Sequence, residues 1–361
     1  MTALAGLLAR RIAATGPVTL AEYMAECLLN PDQGYYATRD PLGVAGDFTT
    51  APEISQMFGE LLGLCLAQSW LDQGSPEAVL AEAGPGRGTL MADIWRATRG
   101  VPGFHQRVRI VLVEASPVLR RAQEARLTGA PVQWLDTVDA LPEAPLWFVA
   151  NEFFDALPIR QFRRAGGGWR ELVVGLEGDR LTPGLTPAAP LAELAHRLAD
   201  TAEGDVVELC PSARPVMQAL AGRIARHGGA ALIVDYGDWR SCGDTFQALE
   251  NHAFADPFAS PGHADLTAHV DFEALAQAAM PLQSSRLTGQ GALLTALGIG
   301  ARATRLAQGL SGESLRQHHA ALRRLTDGAE MGTLFKALAL VAPGAPLPPG
   351  FAPAPEVEAV R

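Results

Sequence analysis

The stretch VLAEAGPGRGTL, residues 79–90, carries an apolar strand into a helix through Gly84, Gly86 and Gly88. Such a turn calls for glycine on two counts: tight chain reversal needs positive φ, and a Cβ would block backbone approach to a ligand. Two acids sharpen the pattern. Glu82 stands two residues before Gly84, and Glu114 ends the next apolar strand, 28 residues after Gly86. The bare alternative is a strand-to-helix turn with Glu114 as a solvated strand end before the Ser116-Pro117 helix start.

Working outward, AVLAE (78–82), RIVLVE (109–114), PVQWL (131–135) and LWFVAN (146–151) read as strands, with helices from Thr89 and Pro117 between them. This alternation predicts an α/β, Rossmann-like, doubly wound and mostly parallel sheet with helices on both faces. After Phe153-Phe154-Asp155 the pattern turns to PIRQFRR, GGGWRELVVGL and DRLTPGL, an antiparallel insertion with Gly-rich turns. Alternation is expected to resume with the strand DVVELC (205–210), a helix to His227 and the central strand AALIVDYG (230–237), with LFKALALV (334–341) as the closing edge region.

Ahead of the sheet, residues 2–14 and 19–29 read as helices, the second opened by a Thr19/Glu22 capping box. An aperiodic loop over 30–52 reads as a lid, and a helix opened by a Thr50/Glu53 box runs to about Asp72. Helices are expected near 271–279 and 298–326. The expected division is a helical cap and lid (1–75), a first core segment (76–156), an inserted antiparallel subdomain (157–204), the rest of the core with an irregular insertion at 241–270 (205–342), and a disordered tail (343–361).

A chain of 361 residues, 48% hydrophobic and 19% charged, excludes fibrous, collagenous and largely disordered classes. Its net charge of −10 disfavours nucleic acid and anionic lipid and favours cationic partners. Lys336 is the only lysine, a skew that carries no function. Cys27, Cys65, Cys210 and Cys242 are far apart and without metal-ligand spacing, so free thiols and no metal are expected. No apolar run approaches the roughly 20 residues of a membrane span. With no secretory pattern either, a cytoplasmic location is expected. A homodimer is one assembly open to such a chain.

The dinucleotide fingerprint wants Gly-x-Gly-x-x-Gly/Ala, and its third position here is Thr89, so nicotinamide binding fits poorly. Acidic-x-Gly-x-Gly-x-Gly, with a carboxylate after the second strand to accept both ribose hydroxyls, is instead the S-adenosylmethionine pattern of Rossmann-like methyltransferases. Glu82, Gly84, Gly86, Gly88 and Glu114 are the cofactor candidates, with Asp136 on the adenine side unless it is an N-cap or turn residue.

Longer blocks carry a resemblance. GDFTTAPEISQMFGE (46–60), EAGPGRGTL (82–90), NEFFDALP (151–158), DYG (235–237) and ADLTAHVDF (264–272) are similar to those of the MidA proteins, which include a mitochondrial methyltransferase that assists assembly of respiratory complex I. Departures are small: Ala83 where Leu or Ile is commoner, and Ala51 where Ser is usual. The resemblance implies a methyltransferase fold, S-adenosylmethionine as cofactor and, in mitochondrial relatives, arginine methylation of a complex I subunit. A protein substrate with a basic acceptor is thus the expected partner.

Ligands of doubly wound sheets lie beyond the carboxyl ends of the strands, which directs attention to Asn151 through Pro158. Asn151 is a cofactor candidate. Glu152 and Asp155 could grip a guanidinium by bidentate bonds, or serve as cap and turn residues. Glu53 is a catalytic candidate unless capping explains it, and Tyr236 could shape the acceptor pocket or simply sit in the core. Gly46, Asp47, Phe48 and Thr49 are lid candidates on the cofactor side, since an aromatic over a sulfonium gains cation–π attraction. His263, Asp265, His269 and Asp271 read as turn and cap chemistry rather than a metal site. A rival reading from another class is a non-catalytic assembly scaffold that retains the pocket; an NAD-dependent dehydrogenase is the weakest.

Overall fold

The computed structural model describes residues 2–38, 49–250 and 253–354. The chain divides into two compact units, one drawn from residues 1–48, 155–214 and 240–271, the other from 49–154, 215–239 and 272–361.

The second unit is the α/β core. Its strands are β1 (Ala78–Ala83), β2 (Val108–Val113), β3 (Val132–Leu135), β4 (Leu146–Asn151), β5 (Gly229–Asp238) and β6 (Phe335–Val341). They lie in the order β3-β2-β1-β4-β5-β6. All pairings are parallel except β5 with β6, which is antiparallel. In β1 and β4 every residue is buried, which is why both read as unbroken apolar runs rather than alternating ones. Each fully buried Leu or Phe of such strands contributes on the order of 2 kcal/mol.

The helices α1 (Gln56–Asp72), α2 (Thr89–Ala97), α3 (Pro117–Arg126) and α4 (Ala213–His227) connect or flank these strands. The sequence explains their ends. Ser116 caps α3, accepting from Leu119 N, with Pro117 in the first turn. Gly228, at φ +85, follows α4 and donates to the Ile224 carbonyl. Trp147 of β4 donates its indole N–H to Ser69 Oγ of α1 at 3.2 Å, so a buried polar pair pins helix to sheet.

The first unit packs helices Ala3–Thr15 and Leu20–Leu29 around Leu8, Tyr23, Met24 and Leu28. The Thr19/Glu22 box is formed. The inserted strands Arg160–Ala165, Gly168–Glu177 and Arg180–Leu185 make an antiparallel sheet, and a smaller one joins 247–250, 253–255 and 265–267.

Several sequence expectations are corrected. DVVELC does not enter the core sheet: Val206–Leu209 pairs antiparallel with Arg160–Ala165, where buried Glu208 accepts from Gln161 Nε2 at 2.9 Å. A buried, bonded Glu suits that sheet better than a strand covered on both faces. The helix expected from Thr50 is broken at Ser55, whose extended backbone (φ −162°) separates Ala51–Ile54 from α1 and whose hydroxyl accepts from Met57 N. The helix expected over 298–326 is two, Ile299–Ala307 and Gly312–Thr326. β6 is not the edge, because Gln283–Ser284 and Thr288–Gly289 pair outside it.

The tail is also corrected for residues 343–354. Leu347 and Phe351 pack on the core, Cys65 Sγ donates to the Pro349 carbonyl at 3.2 Å, and Arg286 N donates to the Ala352 carbonyl at 2.8 Å. Main-chain bonds and two apolar anchors suffice to dock a segment that has no periodicity of its own. Residues 355–361 of the expected tail lie outside the described residues.

Candidate active site

The carboxyl ends of β1, β2 and β4 converge on the glycine turn. Gly84, Gly86 and Gly88 have φ of +63, +52 and +78°, all in the left-handed region. A Cβ on Gly84 would lie 2.9 Å from Phe153 Cδ2, and one on Gly88 would lie 3.3 Å from Gln123 Cα, so conformation and space both require glycine. Gly88 precedes α2 with no side-chain cap, and in the first turn of that helix the Met91 amide is bonded to the Glu82 carboxyl.

Glu82 is 2% exposed, and its Oε2 has no hydrogen-bond partner among the described residues. Burial pushes its carboxyl up to about 8. An orphaned carboxylate oxygen beside a glycine turn is costly unless something binds it.

Glu114 follows β2 directly. Its Oε1 accepts from Ser116 N at 2.7 Å, and burial raises its carboxyl above the ordinary range against that bond and the nearby Gln123 amide. Arg120 ties this corner together, donating through Nε to the Glu114 carbonyl and through Nη2 to Asp136 Oδ1, both at 2.6 Å. The Asp136 side chain is 81% exposed, an ion-paired surface group.

Asn151 ends β4, and Glu152 beside it has φ +51°, a left-handed backbone that a non-glycine residue adopts only at a cost of about 1 kcal/mol or more. Its N–H nonetheless donates to the Val234 carbonyl at 2.9 Å. Glu152 Oε1 accepts from Asn151 Nδ2 at 3.0 Å and from Ala51 N at 3.2 Å. Asn151 Oδ1 is a second buried atom without a partner among the described residues.

Glu53 does not close a capping box. Thr50 forms no side-chain cap, and Glu53 Oε1 instead accepts the hydroxyl hydrogen of Thr89, the first residue of α2. Glu53, Glu82, Glu114, Asn151, Glu152 and the three glycines thus form one constellation around the turn. Tyr236 is 6% exposed and packs edge-on against Phe335 in the core cluster, at 5.4 Å between ring centroids. Asp155 belongs to the first unit, where it is buried and its carbonyl accepts from Ala268 N at 3.0 Å. In the same unit Tyr36 donates its hydroxyl to Asp265 Oδ1 at 2.8 Å. Gly46, Asp47 and Phe48 lie outside the described residues, while Thr49 is described and half-buried.

Sequence reasoning missed two residues, Gln123 and Trp134. Gln123 is fully buried, its Nε2 donating to the Gly86 carbonyl at 2.7 Å and its Oε1 accepting from Trp134 Nε1 at 2.8 Å. The only sequence signal is a polar residue on the sheet-facing side of a helix.

The family described as "Putative S-adenosyl-L-methionine-dependent methyltransferase" matches residues 61–289. The chain belongs to this family. It is 41% identical over 297 residues to a zebrafish protein named protein arginine methyltransferase NDUFAF7, mitochondrial, an alignment covering 74% of this chain and 70% of that one. It is 38% identical over 361 residues to the cattle protein of the same name, covering 92% and 81%. A Burkholderia thailandensis protein solved with S-adenosyl-homocysteine bound superposes with a TM-score of 0.84 at 31% identity, covering 96% of this chain and 94% of that one.

The chain is therefore a methyltransferase with the Rossmann-like fold of its family, its cofactor is S-adenosylmethionine, and the resemblance to MidA proteins holds. The expected cytoplasmic location is overturned, since the names of those vertebrate relatives place them in mitochondria. Among the described residues no helix is long and apolar enough to cross a membrane. The residues around the turn fit the cofactor on their own chemistry. The left-handed turn at Gly84, Gly86 and Gly88 offers backbone to a ligand, and the orphaned Glu82 Oε2 and Asn151 Oδ1 are acceptors for a ligand that carries ammonium and hydroxyl donors.

Proposed function

We propose that this chain methylates an arginine of a partner protein, with a respiratory complex I subunit as the client the MidA resemblance points to. The observation that carries this reading is the Glu152 carboxylate, fixed beyond β4 by a left-handed backbone and by bonds from Asn151 and Ala51. The names of the vertebrate relatives support it.

When bound, the cofactor supplies an electrophilic methyl group on a sulfonium. Glu82 would accept from its ammonium group, Glu114 from its ribose hydroxyls, and the backbone of Gly84 to Gly88 would line it, with Asn151 as a further acceptor. Thr49 would line the cofactor side, and Asp136 would border the adenine. Glu152 would hold the acceptor guanidinium, concentrating its positive charge on the nitrogens that do not attack. Net transfer to a guanidinium releases one proton, and a carboxylate in that place can take it up. Within the core unit, Tyr236 would shape the acceptor side.

The test is methylarginine detection by mass spectrometry after incubating complex I subunits with the protein and S-adenosylmethionine. Wild type should methylate an arginine. Glu152→Gln should lose about a hundredfold in rate while still binding S-adenosylhomocysteine. Undiminished yield from Glu152→Gln contradicts the role of that carboxylate, and a client that wild type leaves unmethylated favours the scaffold reading.

A further inference from the structure

Gln123 sits where the two halves of the cradle meet. Its Nε2 donates to the Gly86 carbonyl at 2.7 Å and lies 3.4 Å from Glu114 Oε2, so one amide group spans the glycine turn and the carboxylate after β2. Its orientation is not a free choice. The indole Nε1–H of Trp134 can only donate, so at 2.8 Å it holds the amide oxygen of Gln123 toward itself and turns the NH₂ toward Gly86 and Glu114. Trp134 is placed by the sheet, where it pairs with Leu112 two residues before Glu114.

The remaining contacts close the arrangement. Glu114 Oε1 is held by Ser116 N at 2.7 Å, which leaves Oε2 as the oxygen that Gln123 steadies. Gln123 is fully buried on α3, and its Cα lies where a Cβ on Gly88 would come within 3.3 Å. A side chain with this much polar capacity in a dry place is tolerated only because each of its groups is bonded.

We propose that Gln123, locked by Trp134, is a positioning residue that couples the glycine turn to Glu114 and thereby sets how strongly the site reads the ribose hydroxyls of the cofactor. This rests on the reading of Glu114 as the ribose carboxylate. Gln123 touches no reacting atom; it acts through Glu114 and Gly86.

The experiment compares calorimetric binding of S-adenosylhomocysteine and its 2′-deoxyribose analogue to wild type, Gln123→Met, Trp134→Phe and Glu114→Gln. Wild type should favour the hydroxylated ligand by about tenfold, the worth of one bond to a charged group. Gln123→Met should lose most of that preference, approaching Glu114→Gln, and Trp134→Phe should lose part of it because the freed amide can turn. A merely structural role would weaken both ligands alike and leave the preference intact, which overturns the proposal. Equal binding of the two ligands by wild type overturns the ribose reading of Glu114 and the proposal with it. If Gln123→Met does not fold, the preference in Trp134→Phe decides.

Discussion

The hydroxyl of Thr89, at the start of α2, donates its hydrogen to Glu53 Oε1, thirty-six positions earlier in the chain. This bond joins the Ala51–Ile54 helix to the exit of the glycine turn, and Ala51 N is itself bonded to Glu152. Glu53→Ala should therefore destabilise the protein by about 1 kcal/mol, and Thr89→Val by a similar amount, with the double variant no worse than either alone. Urea unfolding of the four proteins checks this. Additive losses would show that the two residues act separately.

Glu82 imposes a pH dependence whose sign follows from its burial. Its carboxyl rises from 4.5 to about 8 in the fold, so between those values the folded protein keeps a proton that the unfolded chain has released. Stability from this group is complete below the lower value and is lost as pH climbs through the upper one. Glu82→Gln should flatten the decline in unfolding free energy across that window, recovering on the order of 1–3 kcal/mol near its upper end. Binding of a ligand ammonium to ionised Glu82 should also release up to about one proton at neutral pH. Calorimetry in buffers of different ionisation enthalpy reads that release, and Glu82→Gln should abolish it.

Gly84→Ala should be costly in two ways. The backbone is left-handed there at φ +63°, and the added methyl meets the Phe153 ring at 2.9 Å. A loss of roughly 1–3 kcal/mol is expected by thermal unfolding, together with weaker cofactor binding. A variant as stable and as tightly binding as wild type would contradict the turn geometry.

Glu60 on α1 receives a forked pair of bonds from Arg302, at 2.7 and 2.8 Å, and a third from Arg96 at 3.1 Å. Arg302→Ala should cost about 1–2 kcal/mol, the low side of the range for a buried carboxylate because Arg302 is partly exposed and Arg96 remains. Denaturant titration measures it, and a neutral result would mean that Arg96 and Gln56 suffice for Glu60.

Much of the core was legible because its chemistry is local. Gly84, Gly86 and Gly88 announce the left-handed turn, and unbroken apolar runs announce β1 and β4, buried on both faces. What stayed hidden depends on partners remote in sequence. Gln123 is a polar residue on the sheet-facing side of its helix, and only Trp134 and Gly86 closing on it show what it bonds. Thr50 and Glu53 match a capping box, yet the extended backbone of Ser55 breaks the helix and frees Glu53 for Thr89. Val206–Leu209 carries the pattern of any short strand, and only its partner strand settles which sheet it joins. Leu347 and Phe351 anchor a Pro-rich segment whose composition alone suggests disorder.

The most direct test is calorimetric titration of the purified protein and of Gly86→Val with S-adenosylmethionine, S-adenosylhomocysteine and NAD. A valine at Gly86, where φ is +52°, strains the turn. The expected result is binding of both adenosyl ligands to wild type, with no NAD binding and no adenosyl binding by a folded Gly86→Val. Tight adenosyl binding by that folded variant, or none by folded wild type, would contradict the placement of the cofactor on the glycine turn.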